Sequence, residues 1–315
     1  MNKKALIIGI SGQDGPYLAK FLLKKKYSVT ALFRKKSNSF INLKKIKVQK
    51  IKLYNLNYLD FNKIFIFLKK NKFDEIYFLS GQSSVFKSFL KPEETYKSNI
   101  FGILHILESC RILKLKTKIF NASSAEIFGN QNIDKLNENS EFNPVSPYGL
   151  SKMISLEITK IYRLMFDIKA CSGIMFNHES PLRKKNFVIK KIITEIKKIK
   201  INRKYKLKIG NLNIYRDWGW APEYVHAMWL MLNSKNVKDY VIGTGNKISL
   251  KKVVFYLFKK NKLSTKKNIR ISKFFKRKHE IISNCADPRN IENELGWKSK
   301  INIWKILDNI ELNKY

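Results

Sequence analysis

Residues 5–15 read ALIIGISGQDG, an apolar run that leads straight into a glycine-rich turn. The glycines are Gly9, Gly12 and Gly15, in the spacing GxxGxxG, and the following residues have the apolar pattern of a helix. Glycines in a strand–turn–helix unit let the backbone approach a pyrophosphate closely, and the free amides at the helix N-terminus favour negative charge. The segment therefore predicts a dinucleotide-binding fold, with a purely structural glycine turn as the alternative.

Beyond this turn, short β-rich runs alternate with longer stretches of helical period. Strands are predicted at residues 5–9, 28–33, 48–53, 75–80, 118–122, 170–176 and 240–242, and helices near residues 16–26, 61–71 and 93–113. Strands joined by crossover helices form a parallel sheet that is covered on both faces. The sequence thus predicts an α/β protein with a Rossmann-type doubly wound sheet and a smaller C-terminal lobe. We expect a cofactor-binding domain at residues 1–176 and a substrate-binding lobe at 177–315, with the chain returning to the first near residues 211–245.

The chain of 315 residues carries a formal net charge of +39, which by itself would suggest nucleic acid or an anionic membrane as a partner. The lysines are spread over the whole chain and lack the interleaved aromatic residues of a nucleic-acid module, so compositional bias explains them more simply. No apolar run approaches the roughly 20 residues of a membrane span. We therefore expect no specific nucleic acid and no membrane as partners, and we expect the positive field to attract a polyanionic substrate.

The three cysteines, Cys110, Cys171 and Cys285, are odd in number and far apart in the sequence. They form no CxxC pair, and no histidine cluster has the spacing of metal ligands. This pattern predicts a cytoplasmic protein with no bound metal, and a catalytic thiol is the minor alternative.

The end of the second predicted strand bears on the choice of cofactor. An enzyme that prefers NAD carries an acidic residue there for the ribose hydroxyls, but this chain has Arg34, Lys35 and Lys36. Cations at this place can clamp the 2′-phosphate of NADP, so the sequence favours NADP over NAD. Ordinary solvated cations in a lysine-rich chain are the alternative.

The segment SPYGLSK, residues 146–152, places Tyr148 and Lys152 four residues apart. On a helix the two side chains lie on one face. An ammonium near a phenol favours the phenolate, so we expect a lowered pKa for Tyr148 and a role as general base.

A second group of polar residues follows the strand predicted at 118–122. Ser124 and Glu126 stand at its carboxyl end, the edge at which doubly wound sheets bind ligands. A carboxylate near the phenol supplies a second acid and base, which the elimination of water from a sugar needs and a simple alcohol dehydrogenase does not. A capping role for Glu126 in a turn is the alternative.

Several motifs in order resemble the GDP-mannose 4,6-dehydratase family of extended short-chain dehydrogenases/reductases over nearly the whole chain. They are GISGQDG, SGQSSV, ASSAEIFG, SPYGLSK, FNHESP, GNLNIYRDWG and EYVHAMWLML. The glycine turn and YxxxK are shared by all extended members, whereas FNHESP and RDWG with AMWLML are the more discriminating. The resemblance implies a hydro-lyase with NADP as cofactor, GDP-mannose or a similar nucleotide sugar as substrate, and a homodimer or homotetramer.

The resemblance also implies a division of labour in an internal redox cycle. Tyr148 removes the proton from the hydroxyl on carbon 4 while hydride passes to NADP, supported by Lys152 and Ser124. Glu126 then takes a proton from carbon 5 and delivers one to the hydroxyl that leaves carbon 6. Return of the hydride to carbon 6 gives the 4-keto-6-deoxy sugar.

Two sets of contacts are carried over from the family onto matching positions of this chain. The cofactor contacts are Gly9, Gly12, Gln13, Asp14, Gly15, Arg34, Asn55, Leu56, Leu79, Gln82, Tyr148, Lys152, Asn177 and His178. The substrate contacts are Ser83, Asn177, Glu179, Arg183, Lys191, Arg216, Arg277 and Glu280. We interpret His178 as a packed or hydrogen-bonded side chain and not as a metal ligand.

Five positions depart from the family pattern. Ala125 replaces a hydroxyl residue, Ser84 a histidine and Val145 an arginine. Asn55 stands where an aspartate is expected, and Lys35 where a second arginine is expected. These positions bear on cofactor affinity and on contacts between subunits, and they leave the proposed catalytic residues in place.

Two other functions stay open from the sequence. A related nucleotide-sugar epimerase or 4-keto reductase shares the fold and the tyrosine–lysine pair but lacks a carboxylate at the position of Glu126. A non-catalytic NADP-binding homologue would bind the cofactor without turnover.

Overall fold

The computed structural model describes residues 2–34, 40–272 and 280–315. The strands are β1 Lys4–Ile8, β2 Ser28–Phe33, β3 Lys52–Asn55, β4 Glu75–Phe78, β5 Lys118–Ala122, β6 Ala170–Met175, β7 Asn177–Glu179, β8 Leu207–Ile209, β9 Tyr215–Trp220, β10 Tyr240–Ile242, β11 Lys247–Ser249, β12 Ile269–Ile271 and β13 Ser283–Asn284. The helices are α1 Asp14–Lys24, α2 Ile41–Lys45, α3 Phe61–Lys70, α4 Val85–Leu90, α5 Pro92–Tyr96, α6 Gly102–Ile112, α7 Pro147–Phe166, α8 Val188–Ile201, α9 Ala221–Asn233, α10 Leu250–Lys260, α11 Thr265–Asn268, α12 Arg289–Leu295 and α13 Ile303–Glu311.

The larger sheet has the strand order β10-β6-β5-β4-β1-β2-β3, and neighbouring strands run parallel. Both faces are buried at the centre of the sheet, as β1 shows: Ala5 and Ile7 pack into one core, and Leu6 and Ile8 pack into the other. An all-parallel sheet needs this continuous apolar pattern because helices cover both faces. The predicted Rossmann-type α/β fold is confirmed.

The glycine turn between β1 and α1 depends on close backbone packing. Gly9 has φ +115°, and a Cβ there would lie 2.8 Å from the carbonyl carbon of Leu79. A Cβ on Gly15 would lie 2.6 Å from the carbonyl oxygen of Gly9. Only glycine permits this conformation and this approach, so the N-terminus of α1 comes directly against the end of β1.

A second core lies under a smaller mixed sheet, in which β9 pairs with β7, β11 and β13. The isoleucines of α8 pack there against α10, α13 and the pair β8–β12. In α8 the buried positions are Ile189, Ile192, Ile193, Ile196 and Ile199, which is the spacing of one helix face.

The chain returns to the larger sheet after β9. Helix α9 packs against α1, and β10 pairs with β6, whereas β9 belongs to the smaller sheet. We propose on this basis a cofactor lobe at residues 1–176 and a substrate lobe at 177–315, with α9 and β10 as the part that rejoins the first.

Two predicted elements differ from the structure. The third strand occupies Lys52–Asn55 and not residues 48–53, because the chain turns at Lys47 and Lys50, whose φ values of 55° and 61° interrupt an extended segment. The helix predicted at 93–113 consists of α5, a π-helical segment Lys97–Phe101 and α6 in succession. Within the described residues, no helix has the length and apolar character needed to cross a membrane.

Candidate active site

A cavity of about 870 Å³ opens at the carboxyl edge of the larger sheet, between that sheet and the smaller lobe. Its wall contains most of the residues predicted for the site. They are Gly9, Gly12, Gln13, Asp14, Gly15, Arg34, Leu79, Gln82, Ser83, Ser124, Glu126, Tyr148, Lys152, Asn177, His178, Glu179, Arg183, Lys191, Arg216 and Glu280. Residues that are more than 200 positions apart in the sequence therefore line one cavity.

Two predicted cofactor contacts are not on this wall. Asn55 ends β3 beside Phe33 of β2, and Leu56 follows it, donating its backbone N–H to the carbonyl of Phe33 at 3.0 Å. Both lie at the end of the sheet next to Arg34, outside the residues that line the cavity. Arg277 lies outside the described residues.

Helix α7 presents the tyrosine and the lysine. Ser146 caps it by accepting a hydrogen bond from the backbone N–H of Gly149 at 3.0 Å. One turn separates Tyr148 from Lys152, whose Nζ lies 6.0 Å from the centre of the phenol ring. The ammonium donates to the carbonyl of Ala122 at 2.8 Å, which ties α7 to the end of β5.

The turn after β5 brings the carboxylate to the same place. Ser124 caps a 3₁₀ turn at Ala125–Ile127, its Oγ accepting from the backbone N–H of Glu126 at 3.3 Å. A Cβ on Gly149 would lie 2.6 Å from the carbonyl oxygen of Glu126, so α7 rests directly on this turn. Ser124 thus supplies the cap of this turn, and Glu126 lies on the cavity wall.

Burial dominates the protonation of the tyrosine and the lysine. It raises the pKa of Tyr148 to about 12; a hydrogen bond with Ser124 acts in the opposite direction, and the charge of Glu126 adds to the rise. Burial also lowers the pKa of Lys152 to about 8. The predicted lowering of the Tyr148 pKa is thus wrong for this structure, because loss of water around the phenol outweighs the hydrogen bond with Ser124 and the charge of Arg183.

A buried polar cluster joins the glycine turn to the smaller lobe. Asp14 contacts His178 Nε2 at 3.1 Å, and Gln13 donates to the carbonyl of His178 at 3.1 Å while accepting from Ser180 Oγ at 2.9 Å. Burial opposes the ionisation of Asp14, but His178, Arg183 and Gln13 together outweigh it and hold the pKa of that carboxyl below its usual range. The His178 ring also stacks on Tyr224 with centroids 4.4 Å apart.

The opposite wall is basic. Arg183 Nε lies 3.8 Å from the buried carboxylate of Glu179, and its guanidinium lies over the ring of Phe187 at 3.7 Å. Lys191 donates to the carbonyl of Lys208 at 2.9 Å, and Arg216 donates to that of Tyr215 at 2.8 Å. Burial raises the pKa of Glu179, and Arg183 counteracts it.

The sequence reasoning missed several residues of the wall, among them Lys184, Lys185, Phe86, Glu195 and Trp218. The run RKK at 183–185 is separated from FNHESP only by Leu182 and was a usable signal for a basic wall. Phe86 and Glu195 lie in α4 and α8, and none of the family motifs includes them.

Comparison with known proteins gives a consistent result. The profile of the family described as GDP-mannose 4,6 dehydratase matches residues 6–310. GDP-mannose 4,6 dehydratase 1 of Arabidopsis thaliana is 36% identical over 317 residues, covering 97% of this chain and 88% of that protein. GDP-mannose 4,6-dehydratase of Yersinia enterocolitica is 39% identical over 263 residues, covering 80% and 70%.

Solved structures share the fold at lower identity. A dTDP-glucose 4,6-dehydratase from Streptomyces venezuelae, with NAD and TYD bound, superposes with a TM-score of 0.88 at 18% identity, covering 98% of this chain and 96% of the other. A UDP-glucose 4-epimerase from Thermotoga maritima, with UDP-glucose, superposes with a TM-score of 0.87 at 19% identity, covering 98% and 97%. Dehydratase and epimerase structures fit equally well, so the fold does not distinguish these reactions.

Proposed function

The chain belongs to the GDP-mannose 4,6-dehydratase family, and we propose that it converts GDP-mannose to GDP-4-keto-6-deoxymannose and water. One observation carries the proposal: Glu126 lies on the wall of the same cavity as Tyr148 and Lys152. Oxidation of a sugar hydroxyl needs one base and a hydride acceptor, whereas removal of water also needs a group that takes one proton and delivers another.

The residues present fit a dinucleotide. Gly9 and Gly15 form a cradle in which added Cβ atoms would collide with backbone, and the N-terminus of α1 opens onto the cavity. Arg34 reaches the same cavity from the end of β2, where its charge suits a 2′-phosphate and supports NADP over NAD. The N-terminus of α1, the glycine cradle and Arg34 would therefore hold the cofactor.

When bound, an oxidised nicotinamide supplies a hydride acceptor that later returns the hydride. Tyr148, in its phenolate form, takes the proton from the carbon 4 hydroxyl while carbon 4 gives up a hydride, and the hydroxyl becomes a ketone. Ser124 assists because its hydrogen bond with Tyr148 lowers the pKa of the phenol against the effect of burial. Lys152, held on the carbonyl of Ala122, fixes the turn of α7 that carries the phenol.

The ketone acidifies carbon 5 of the sugar. Glu126 takes the proton from that carbon, and the same carboxyl then gives a proton to the hydroxyl on carbon 6, which leaves as water. Each proton that Glu126 accepts is thereby returned. Tyr148 gives the proton that it took to carbon 5 when the hydride returns to carbon 6, so both the carboxylate and the phenolate are regenerated within the cycle.

The basic wall supports a nucleotide sugar as substrate. Arg183 and Arg216 carry planar guanidinium groups that can each donate two hydrogen bonds to a diphosphate, and Lys191 adds a third cation on the same wall. Arg277 remains a predicted contact of the same kind.

The test is to incubate the purified protein with GDP-mannose, with and without added NADP, and to determine the mass of the product by mass spectrometry. We expect a product lighter by one water and no net consumption of reduced cofactor. Stoichiometric oxidation of NADPH would instead identify a 4-keto reductase, and an unchanged mass with altered stereochemistry would identify an epimerase. Cofactor binding without any product would identify a non-catalytic homologue.

We also propose a homodimer or homotetramer in the cytoplasm. Exposed apolar side chains near the end of α7, Ile161, Leu164 and Met165, support assembly with further copies. The three cysteines are free and buried, as suits a reducing compartment. Light scattering of the purified protein tests the assembly, and a monomer at micromolar concentration would contradict it.

A further inference from the structure

Arg34 is supported by an aromatic ring. Its guanidinium lies over Tyr58, with Cζ 5.0 Å from the centre of the ring. We propose that Tyr58 is the positioning residue that holds Arg34 ready for the 2′-phosphate and thereby sets a preference for NADP over NAD. The inference rests on the cofactor site of the proposed function.

The ring of Tyr58 cannot easily move. Only 2% of the residue is exposed, and its ring meets that of Phe78 edge-on at 5.6 Å. A Cβ on Gly102 would lie 2.7 Å from the ring carbon Cε2, so the ring rests on the backbone of α6. Its hydroxyl accepts a hydrogen bond from Ser80 Oγ at 2.9 Å. Tyr58 is therefore a fixed platform built from three elements of the larger lobe.

A fixed ring face suits the task of Arg34. The Arg34 side chain is exposed, and a long exposed side chain loses rotamer entropy when it binds a phosphate. A guanidinium that lies over a ring is held without using up its N–H donors, which stay available for an oxyanion. Holding the group in place beforehand lowers the entropic cost of binding.

The neighbouring carboxylate of Glu94 is paired with a lysine and does not hold Arg34 in place. Glu94 accepts a hydrogen bond from Lys87 Nζ at 2.7 Å, and this bond is the main reason that its pKa is lowered, with a smaller contribution from the charge of Arg34. Ser80, the partner of the Tyr58 hydroxyl, lines the same cavity as Arg34. The ring thus orients a cation at the cavity without neutralising it.

The experiment compares the dissociation constants of NADP and NAD on each protein by titration calorimetry. The wild type is expected to bind NADP more tightly. Tyr58→Phe keeps the ring and should keep the ratio, which controls for the hydroxyl and its bond to Ser80. Tyr58→Leu removes the ring and should weaken NADP by about two- to five-fold, as expected for an exposed cation–π contact, while leaving NAD unchanged. Tyr58→Met is a second ringless variant in case leucine prevents folding.

A double-mutant cycle shows whether Tyr58 acts through Arg34. In an Arg34→Ala background, Tyr58→Leu should leave the NADP-to-NAD ratio unchanged, because the group that it positions is gone. A wild type that prefers NADP together with an unchanged ratio in both ringless variants would overturn this inference alone. A wild type that binds NAD as tightly as NADP would overturn the NADP proposal and this inference together.

Discussion

The two edges of the larger sheet each hold a tyrosine, a lysine and a glutamate, in opposite circumstances. At the amino edge, Glu75 accepts hydrogen bonds from Tyr77 at 2.7 Å, Tyr27 at 2.9 Å and Asn233 at 3.1 Å, and pairs with Lys3 at 3.3 Å. At the carboxyl edge, Tyr148, Lys152 and Glu126 surround a cavity. The same three residue types thus form a closed network at one edge and an open site at the other.

The difference lies in what satisfies the buried groups. The carboxylate of Glu75 is 1% exposed and is surrounded by protein donors, so it stabilises the fold that it occupies. The phenol of Tyr148 and the ammonium of Lys152 are buried with pKa values displaced toward their neutral forms. Buried ionisable groups with few hydrogen-bonding partners lower the stability of the fold, and their shifted pKa values are typical of reactive sites.

The comparison is tested most strongly by removing one hydroxyl from each edge. Tyr148→Phe should lower turnover of GDP-mannose by about 10²- to 10⁴-fold, the usual contribution of a general base. Tyr77→Phe should leave turnover unchanged and lower the free energy of unfolding by about 1–2 kcal/mol, since it removes a buried bond to Glu75. Steady-state kinetics and urea denaturation measure the two effects. Equal losses of turnover in both variants would show that the edges do not differ in function.

The two glutamates give the second test. Glu126→Gln should reduce formation of the dehydrated product by about 10²- to 10⁴-fold, while oxidation at carbon 4 still produces reduced-nicotinamide absorbance. Glu75→Gln should retain turnover and destabilise the fold by about 1–3 kcal/mol, because an amide N–H₂ would face donors that now bond a carboxylate. A Glu126→Gln variant with normal product formation would remove the main support for the dehydratase function.

Burial of Lys152 should have a smaller effect, which is on the stability of the fold and depends on pH. The pKa of Lys152 falls from the usual 10.5 to about 8, which corresponds to a cost of roughly 3 kcal/mol at pH values below 8. Between about pH 8 and 10.5 the folded chain has released this proton and the unfolded chain retains it, so the stability of the wild type rises with pH.

Lys152→Met should therefore lose activity but gain stability. Near pH 7 its free energy of unfolding should exceed that of the wild type by about 1–3 kcal/mol, because the lost hydrogen bond to Ala122 offsets part of the gain. The advantage should shrink toward pH 10.5. Denaturation of both proteins without added nucleotide measures this difference. An advantage that is independent of pH would contradict a burial-lowered pKa of Lys152.

Removing the lysine of the amino edge, Lys3, should have the smallest effect on stability and turnover. The Lys3 side chain is 50% exposed, and solvent screens its pair with Glu75. Lys3→Met should cost less than about 1 kcal/mol and leave turnover as it is. A loss as large as that of Glu75→Gln would mean that Lys3, and not the tyrosines, holds the network together.

Much of the fold and of the candidate site could be predicted because it depends on short segments of consecutive residues. The turn after β1, the pair Tyr148 and Lys152, and the turn with Ser124 and Glu126 each occupy a few consecutive residues. In a parallel sheet the carboxyl ends of all strands share one edge, so predicting the strands already places these segments near each other. The third strand was misplaced because two lysines with positive φ, which nothing in their residue type announces, turn the chain before it.

The amino-acid sequence by itself determined the alternation of strands and helices, the glycine turn and the spacing of the proposed catalytic side chains, since these depend on neighbours within a few positions. Only the tertiary structure decided the raised pKa of Tyr148, the contact of Arg34 with Tyr58, and the bond of Asp14 to His178, which lie 164 residues apart. The physical reason is that burial and long-range contact depend on which distant segments exclude water from a group, and no local pattern specifies that.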